Sequence, residues 1–226
     1  MDKEHSKKLK IMVADDHPLL RQALRNVLEK HDDFEVIAEA GDGEEAIRLA
    51  TELRPEILIM DISMPNISGL EATRQIKKKC PSIAIIALTV YDDSEHILGI
   101  LEAGAAGYLT KSVFGDEVAY AIRSVAAGET VLSPAVSRQV IKHAAKYVAK
   151  PLRLDSGEKL TSREQELLKL AALGLSNKGI AARLELSLRT VKSYMTEIFS
   201  KLRVGSRTEA VILALRAGII DIHDFE

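Results

Sequence analysis

Ile57-Leu58-Ile59-Met60-Asp61-Ile62-Ser63-Met64-Pro65-Asn66-Ile67-Ser68-Gly69 holds the pattern that decides this chain's fold. A near-continuous apolar run ends on one carboxylate, Asp61, and passes into a Met-Pro-x-x-x-Gly loop. Such a run suits a strand buried on both faces of a parallel sheet. A second run, Leu9-Lys10-Ile11-Met12-Val13-Ala14, ends on Asp15-Asp16. Two parallel strands that finish on carboxylates at one sheet edge build a site for a divalent cation and a phosphoryl group, because hard cations take oxygen ligands.

Outward from these runs, strands and helices alternate. Strands are predicted at 9–14, 34–39, 56–60, 83–88 and 106–109, and helices at 17–30, 43–53, 69–79, 93–103 and 114–126. The helices carry one apolar stripe each, as in Leu20, Leu24, Val27 and Leu28. A five-fold repeat of strand then helix predicts an α/β fold, a doubly wound five-stranded parallel sheet. Asp15, Asp16, Asp61, Thr89 and Lys111 all fall at the carboxyl ends of the strands, where such folds bind ligands. A linker over 128–157 follows, with a helix expected at 134–148 opened by Pro134 and a flexible joint at 149–159 containing Pro151 and Gly157.

From 158 to 226 the signals are helical. Thr161-Ser162-Arg163-Glu164 is a capping box, Gly174 ends the helix it opens, and Ser176 or Asn177, Ser187 and Ser206 cap three more. This predicts an all-α, four-helix unit after a domain spanning 1–127. The chain's net charge is −2, yet residues 178–207 hold seven basic side chains against Glu185 and Glu197, which fits a phosphate-facing surface. No apolar run reaches membrane-spanning length, and the charged N-terminus leads straight into a strand, so a cytoplasmic protein with no membrane partner is expected. The single cysteine, Cys80, excludes an internal disulfide and a cysteine-rich zinc site. No histidine set has zinc spacing, and no glycine-rich loop has a nucleotide fingerprint.

Phosphoryl transfer to a carboxylate needs a nucleophile, a divalent cation and donors for the phosphoryl oxygens. Asp61 supplies the first. Asp15 and Asp16, with the backbone carbonyl of Ser63, supply oxygen ligands suited to Mg2+. Thr89 offers a hydroxyl and Lys111 a cation. His17 adjoins Asp16, but magnesium disfavours imidazole, so it is read as a surface or helix-cap residue; His96 and His143 are read as surface helix residues.

With these residues in view, 9–127 resembles a response-regulator receiver domain, on Asp15-Asp16, Asp61-x-x-Met64-Pro65-x-x-x-Gly69, Thr89 and Lys111. The resemblance implies that Asp61 accepts phosphate from a sensor histidine kinase and that Asp15, Asp16, Asp61 and the Ser63 carbonyl hold Mg2+. It further implies that Thr89 and Lys111 contact the phosphoryl group while Tyr108 is an aromatic switch coupled to Thr89. Ser112 after Lys111 departs from relatives that often carry an acid there, without touching the phosphate site.

In the helical unit, the third helix puts Val191, Met195, Ile198, Phe199 and Leu202 on one face and Arg189, Thr190, Lys192, Ser193, Thr196 and Glu197 on the other. One apolar stripe opposite polar and basic residues suits a helix that enters the major groove. The segment 158–221 resembles the NarL/FixJ-type, LuxR-like helix-turn-helix domain. The matching residues are Leu160-Thr161-x-Arg163-Glu164, Gly174-x-Ser176-Asn177-Lys178-x-Ile180-Ala181, Leu188-Arg189-Thr190-Val191-Lys192 and Lys201-Leu202-x-Val204-x-x-Arg207. That likeness implies a recognition helix whose main DNA contact is Lys192, helped by Arg189, Thr190, Ser193, Tyr194 and Thr196. Lys178 and Lys201 would face backbone phosphates, Arg207 would cap or touch the backbone, and Val211 and Leu215 would lie on a dimer face. Gly179 and Tyr194 depart from the pattern, the latter standing where relatives commonly have histidine.

The combined expectation is a phosphorylation-dependent, sequence-specific regulator that binds promoter DNA as a homodimer within a bacterial two-component system. Without phosphate, the first domain is expected either to pack on the second or to stay monomeric, with the recognition helix masked. Three other classes remain open on sequence: a phosphorylation-independent regulator that dimerises through its first domain, a small phosphatase with an aspartyl intermediate, and a phosphorelay adaptor. Intact Asp61 and Lys111 weigh against the first, the helical unit would go unexplained by the second, and the third predicts no sequence-specific DNA affinity.

Overall fold

The computed structural model describes residues 8–89, 94–113, 115–129, 131 and 159–220. Its first unit runs β1 (Leu9–Ala14), α1 (Pro18–Leu28), β2 (Phe34–Ala40), α2 (Gly43–Leu53), β3 (Ile57–Asp61), α3 (Gly69–Lys79), β4 (Ala84–Thr89), α4 (Ser94–Glu102), β5 (Gly107–Thr110) and α5 (Asp116–Ala126). All strand pairs are parallel, in the order β2-β1-β3-β4-β5. The order reverses between β1 and β3, and Asp15-Asp16 and Asp61 stand at the carboxyl ends of those two strands, the edge at which such sheets bind ligands.

The apolar runs explain the layering. Ile11, Val13, Ile57, Ile59, Ile86 and Leu88 face one side and pack with Leu24 and Leu28 of α1 and Val118 and Ile122 of α5. Met12, Ala14, Leu58, Met60 and Ile85 face the other side, against Ala46 of α2 and Ala72 and Ile76 of α3. Burying a strand on both faces is what removes the alternation from its sequence. Side-chain caps fix the starts of α2 and α3, where Asp42 accepts from the Glu45 N–H and Ser68 from the Glu71 N–H.

The second unit is α6 (Ser162–Ala172), α7 (Asn177–Arg183), α8 (Leu188–Leu202) and α9 (Arg207–Arg216), in the order of the expected helices. One core holds it, built from Leu167, Leu168, Ile180, Val191, Ile198 and Leu215 among others. The Thr161–Glu164 capping box is formed in full, and Ser176, Ser187 and Ser206 each accept the N–H three residues on. Asn177, the other residue weighed as a cap, is instead the first residue of α7. The linker helix expected at 134–148 falls outside the described residues, as does nearly all of the joint.

The two units touch. Ile212 of α9 is buried in a cluster with Ile97, Ile100 and Leu101 of α4 and with Tyr108 of β5. Asn177 Nδ2 donates to the Ala127 carbonyl at 3.1 Å, at the end of α5. No helix among the described residues is long and apolar enough to cross a membrane.

Candidate functional site

Three strand ends deliver the charged residues of the first unit to one recess. β1 ends just before Asp15, which is fully buried, and Asp16, whose side chain is 30% exposed. β3 delivers Asp61, 1% exposed and so recessed more deeply than an open nucleophile. β5 ends beside Lys111, whose ammonium lies 2.8 Å from Asp15 Oδ2 and 2.8 Å from Asp61 Oδ2. The other Asp61 oxygen accepts the Ser63 N–H at 3.1 Å. Thr89 is buried at the end of β4, and its carbonyl accepts the Lys111 N–H.

Electrostatics follow from this crowding. Burial pushes the Asp61 carboxyl above its ordinary range, against the Lys111 and Ser63 hydrogen bonds, and the nearby Asp15 charge adds to the rise. For Lys111, burial favours the neutral amine, but the bonds to Asp15 and Asp61 outweigh it and its pKa is raised. Asp15 Oδ2 and Asp16 Oδ1 are closed to solvent, and each has one nitrogen near it, Lys111 Nζ at 2.8 Å and His17 Nδ1 at 2.7 Å, off hydrogen-bond alignment. Carboxylate oxygens left in that condition are costly unless a cation completes them. One ligand atom each from Asp15, Asp16, His17 and Asp61 lies within 4.8 Å of the others, so the donor set fits a hard divalent ion. His17 occupies the N-cap position of α1 without making a side-chain cap bond, and it is 69% exposed with Nδ1 2.7 Å from Asp16 Oδ1. The cap role weighed for it is therefore not used.

The loop beyond Asp61 is shaped by two backbone demands. Asn66 takes the left-handed conformation, φ 63°, which an Asn tolerates better than most residues. Gly69 has ordinary dihedrals, but a Cβ there would lie 1.8 Å from the Asp61 carbonyl oxygen. The start of α3 therefore packs directly on the backbone of Asp61. Tyr108 is 5% exposed, turned into the α4 cluster rather than to solvent.

In the second unit, α8 presents Arg189, Lys192, Ser193, Thr196 and Glu197 on an exposed face. Lys178 on α7 is exposed as well. Thr190 is held by the cap, its N–H and hydroxyl meeting Ser187 Oγ at 3.0 and 2.7 Å. Tyr194 is half-buried against the helical core. The face of α8 expected to meet DNA is thus open: the units do touch, as one expectation has it, but α9 and not α8 packs on the first.

Four residues expected on functional surfaces lie elsewhere. Arg207 is 6% exposed, and its guanidinium bonds the carbonyls of Ala171 and Leu175 and the side chain of Asn177. Burial lowers its pKa to about 10. It ties α6, α7 and α9 together and cannot reach a phosphate. Lys201 turns inward to Glu164, at 2.7 and 2.9 Å. Burial disfavours the Glu164 charge, but the Lys201 and Thr161 bonds prevail and its pKa is lowered. Val211 and Leu215 sit in the helical core, 8% and 2% exposed, leaving no side chain for a partner copy. A basic or apolar residue announces its type in sequence but not the direction it faces. Lys77, Gly205 and Ile212, which join the two units, carry no sequence signal: nothing distinguishes Lys77 from Lys78 and Lys79, or Ile212 from its apolar neighbours.

Comparison with known proteins places both units. The response regulator receiver domain model matches residues 11–123, and the model of bacterial regulatory proteins of the LuxR family matches residues 158–214. The transcriptional regulatory protein LiaR of Bacillus subtilis is 38% identical over 94% of this chain and 100% of its own length. The transcriptional regulatory protein DegU of Brevibacillus brevis is 33% identical over 95% of this chain and 96% of its own. Among solved structures, the RcsB response regulator of Salmonella typhimurium, studied for conformational dynamism in DNA interaction, is similar with a TM-score of 0.55. It is 27% identical, covering 88% of this chain and 93% of the other.

Proposed function

The chain belongs to the NarL/LuxR-family response regulators, a receiver domain joined to a helix-turn-helix domain, and on that premise we propose residue by residue how it works. It is a phosphorylation-dependent, DNA-binding transcriptional regulator of a two-component system. Asp61 is the phosphoacceptor. Its carboxylate oxygen attacks the phosphorus of a phosphohistidine on a partner histidine kinase; the P–N bond breaks, the imidazole keeps the electron pair, and an acyl phosphate forms on Asp61. Asp15, Asp16 and Asp61, with the Ser63 carbonyl, would hold Mg2+, which would supply positive charge against the phosphoryl oxygens. Lys111 exchanges part of its bonding to Asp61 for a phosphoryl oxygen. The Thr89 hydroxyl donates to another. Water reaching the same phosphorus returns Asp61 to its carboxylate, so self-dephosphorylation is the only turnover the site performs.

The observation that carries this reading is the convergence of Asp15 and Asp61 on the Lys111 ammonium, 2.8 Å from each, which sets two buried carboxylates against one cation. On DNA, Arg189, Lys192, Ser193 and Thr196 read the major groove while Lys178 holds a phosphate, and two copies read two half-sites in the cytoplasm. The test is DNA affinity and solution mass with and without beryllofluoride and Mg2+, for wild type and Asp61→Ala. Gains in both that vanish in Asp61→Ala support the switch. DNA binding indifferent to beryllofluoride would make this a constitutive regulator.

A further inference from the structure

His17 stands at the cation site with no work yet assigned to it. Its place is fixed twice over. Its N–H donates to Asp15 Oδ1 at 2.8 Å. Pro18 behind it keeps its backbone extended, at φ −89° and ψ 106°. The side chain is largely exposed and makes no helix-cap bond. Its Nδ1 nonetheless turns back to the carboxylates, 2.7 Å from Asp16 Oδ1 and 3.3 Å from Asp15 Oδ1. The Asp16 contact is off hydrogen-bond alignment, so no well-formed hydrogen bond holds the ring there. Two ligands about 2.1 Å from one zinc ion stand about 3.4 Å apart in a tetrahedron and about 3.0 Å apart at a right angle. The nitrogen and its two carboxylate neighbours lie close to those separations. Charge points the same way: three carboxylates face one Lys111 ammonium, a surplus that one divalent ion cancels.

We propose that His17 Nδ1 is a fourth ligand that opens this site to transition ions such as Zn2+ and Co2+, and that such an ion shuts out the phosphoryl group. This rests on the reading of Asp15, Asp16 and Asp61 as a cation site. Magnesium takes oxygen ligands and keeps several waters, so a phosphoryl oxygen can join it. Imidazole suits zinc and its neighbours in the series, and a site that offers nitrogen gains affinity for them. Zinc held by three protein ligands keeps an open position, whereas zinc held by four is closed. One ligand atom each from Asp15, Asp16, His17 and Asp61 lies within 4.8 Å of the others, enough to fill four positions. With Asp61 engaged by the ion and no position open, the nucleophile is withdrawn. The receiver then ignores its phosphodonor while free transition metal is high.

The test titrates Co2+ into the full-length chain, wild type and His17→Ala, and reads the visible spectrum, where four-coordinate cobalt absorbs far more strongly than six-coordinate cobalt. The His17 side chain is exposed and caps nothing, so its loss spares the fold, as equal melting temperatures would show. Wild type should give the intense band and His17→Ala should not. Zinc, followed by displacement of the colour, should bind the variant about tenfold or more weakly, since even a residue that only supports a metal ligand is worth that much. The zinc concentration that halves magnesium-dependent phosphorylation by a small phosphodonor should rise by a similar factor in His17→Ala. A wild-type band of six-coordinate intensity, equal zinc affinity in the two proteins, or zinc inhibition undiminished in His17→Ala overturns the proposal. A wild-type chain that keeps a His17-dependent cobalt band but takes up no phosphate with magnesium defeats the phosphoacceptor reading and leaves the His17 ligand standing.

Discussion

Both domains bury charge, and they do so to opposite ends. In the receiver, Asp15 and Asp61 share one ammonium, two negative charges against one positive, and Asp15 Oδ2 and Asp16 Oδ1 are closed to solvent without a well-aligned hydrogen bond. In the helical domain, Arg207 and Glu164 are equally enclosed, but their polar atoms meet carbonyls, a capped N–H and Lys201. The first arrangement is left incomplete, so an arriving cation or phosphoryl group is stabilised by it. The second is complete and holds helices together. Incomplete charge weakens the empty fold and marks a ligand site; complete charge strengthens the fold and marks a scaffold.

The contrast can be broken most forcefully at Arg207. Arg207→Met should cost the helical domain about 3 kcal/mol or more, because three buried acceptors lose their donor at once. Thermal unfolding would show it as early melting of that domain. A variant with native melting that loses only DNA affinity would return Arg207 to the DNA surface. Glu164→Ala comes next, at about 2 kcal/mol, since it removes the capping partner of Thr161 and strands the Lys201 ammonium.

Asp61→Asn should act with the opposite sign, raising the receiver's melting temperature by a few degrees near neutral pH while abolishing phosphorylation. Acid sharpens this. Glu164, its pKa lowered, contributes stability above the unfolded value of 4.5 and loses it as pH falls. Asp61, its pKa raised from 3.8, burdens the fold at neutral pH and is relieved as pH falls through its folded value. Melting curves from pH 7 to 4 should therefore show the penalty of Glu164→Gln and the benefit of Asp61→Asn both shrinking. A benefit that grew with acid would contradict the burial of the Asp61 charge. Smallest of all is Lys192→Ala, which should leave stability within about 0.5 kcal/mol yet weaken DNA binding about tenfold or more in anisotropy titrations.

Much of this was legible in sequence because local chemistry dictated it. The five strands begin and end within about a residue of where Leu9, Ile57 and Ile83 and their turn residues put them. Thr161, Ser187 and Ser206 marked their helices because an orphan N–H demands an acceptor at a fixed spacing. Asp15, Asp61 and Lys111 were legible as a set because a doubly wound sheet sends all strand ends to one edge. The inward direction of Lys201 and Arg207 is not legible in sequence, because burial is a property of the packed helices and not of the residue. Lys77, Gly205 and Ile212 carried no signal at all, since the contact they make depends on where a second domain comes to rest.

Gly69 has a consequence for heredity. Its missing side chain lets α3 press against the carbonyl of Asp61, the residue proposed to receive the phosphate. A single base change that added even a methyl there would displace that carboxylate while every charged and hydroxyl group in the site stayed intact. A genetic screen for signal-blind alleles should therefore return Gly69 alongside Asp61, and an inventory of reactive side chains would never have nominated it.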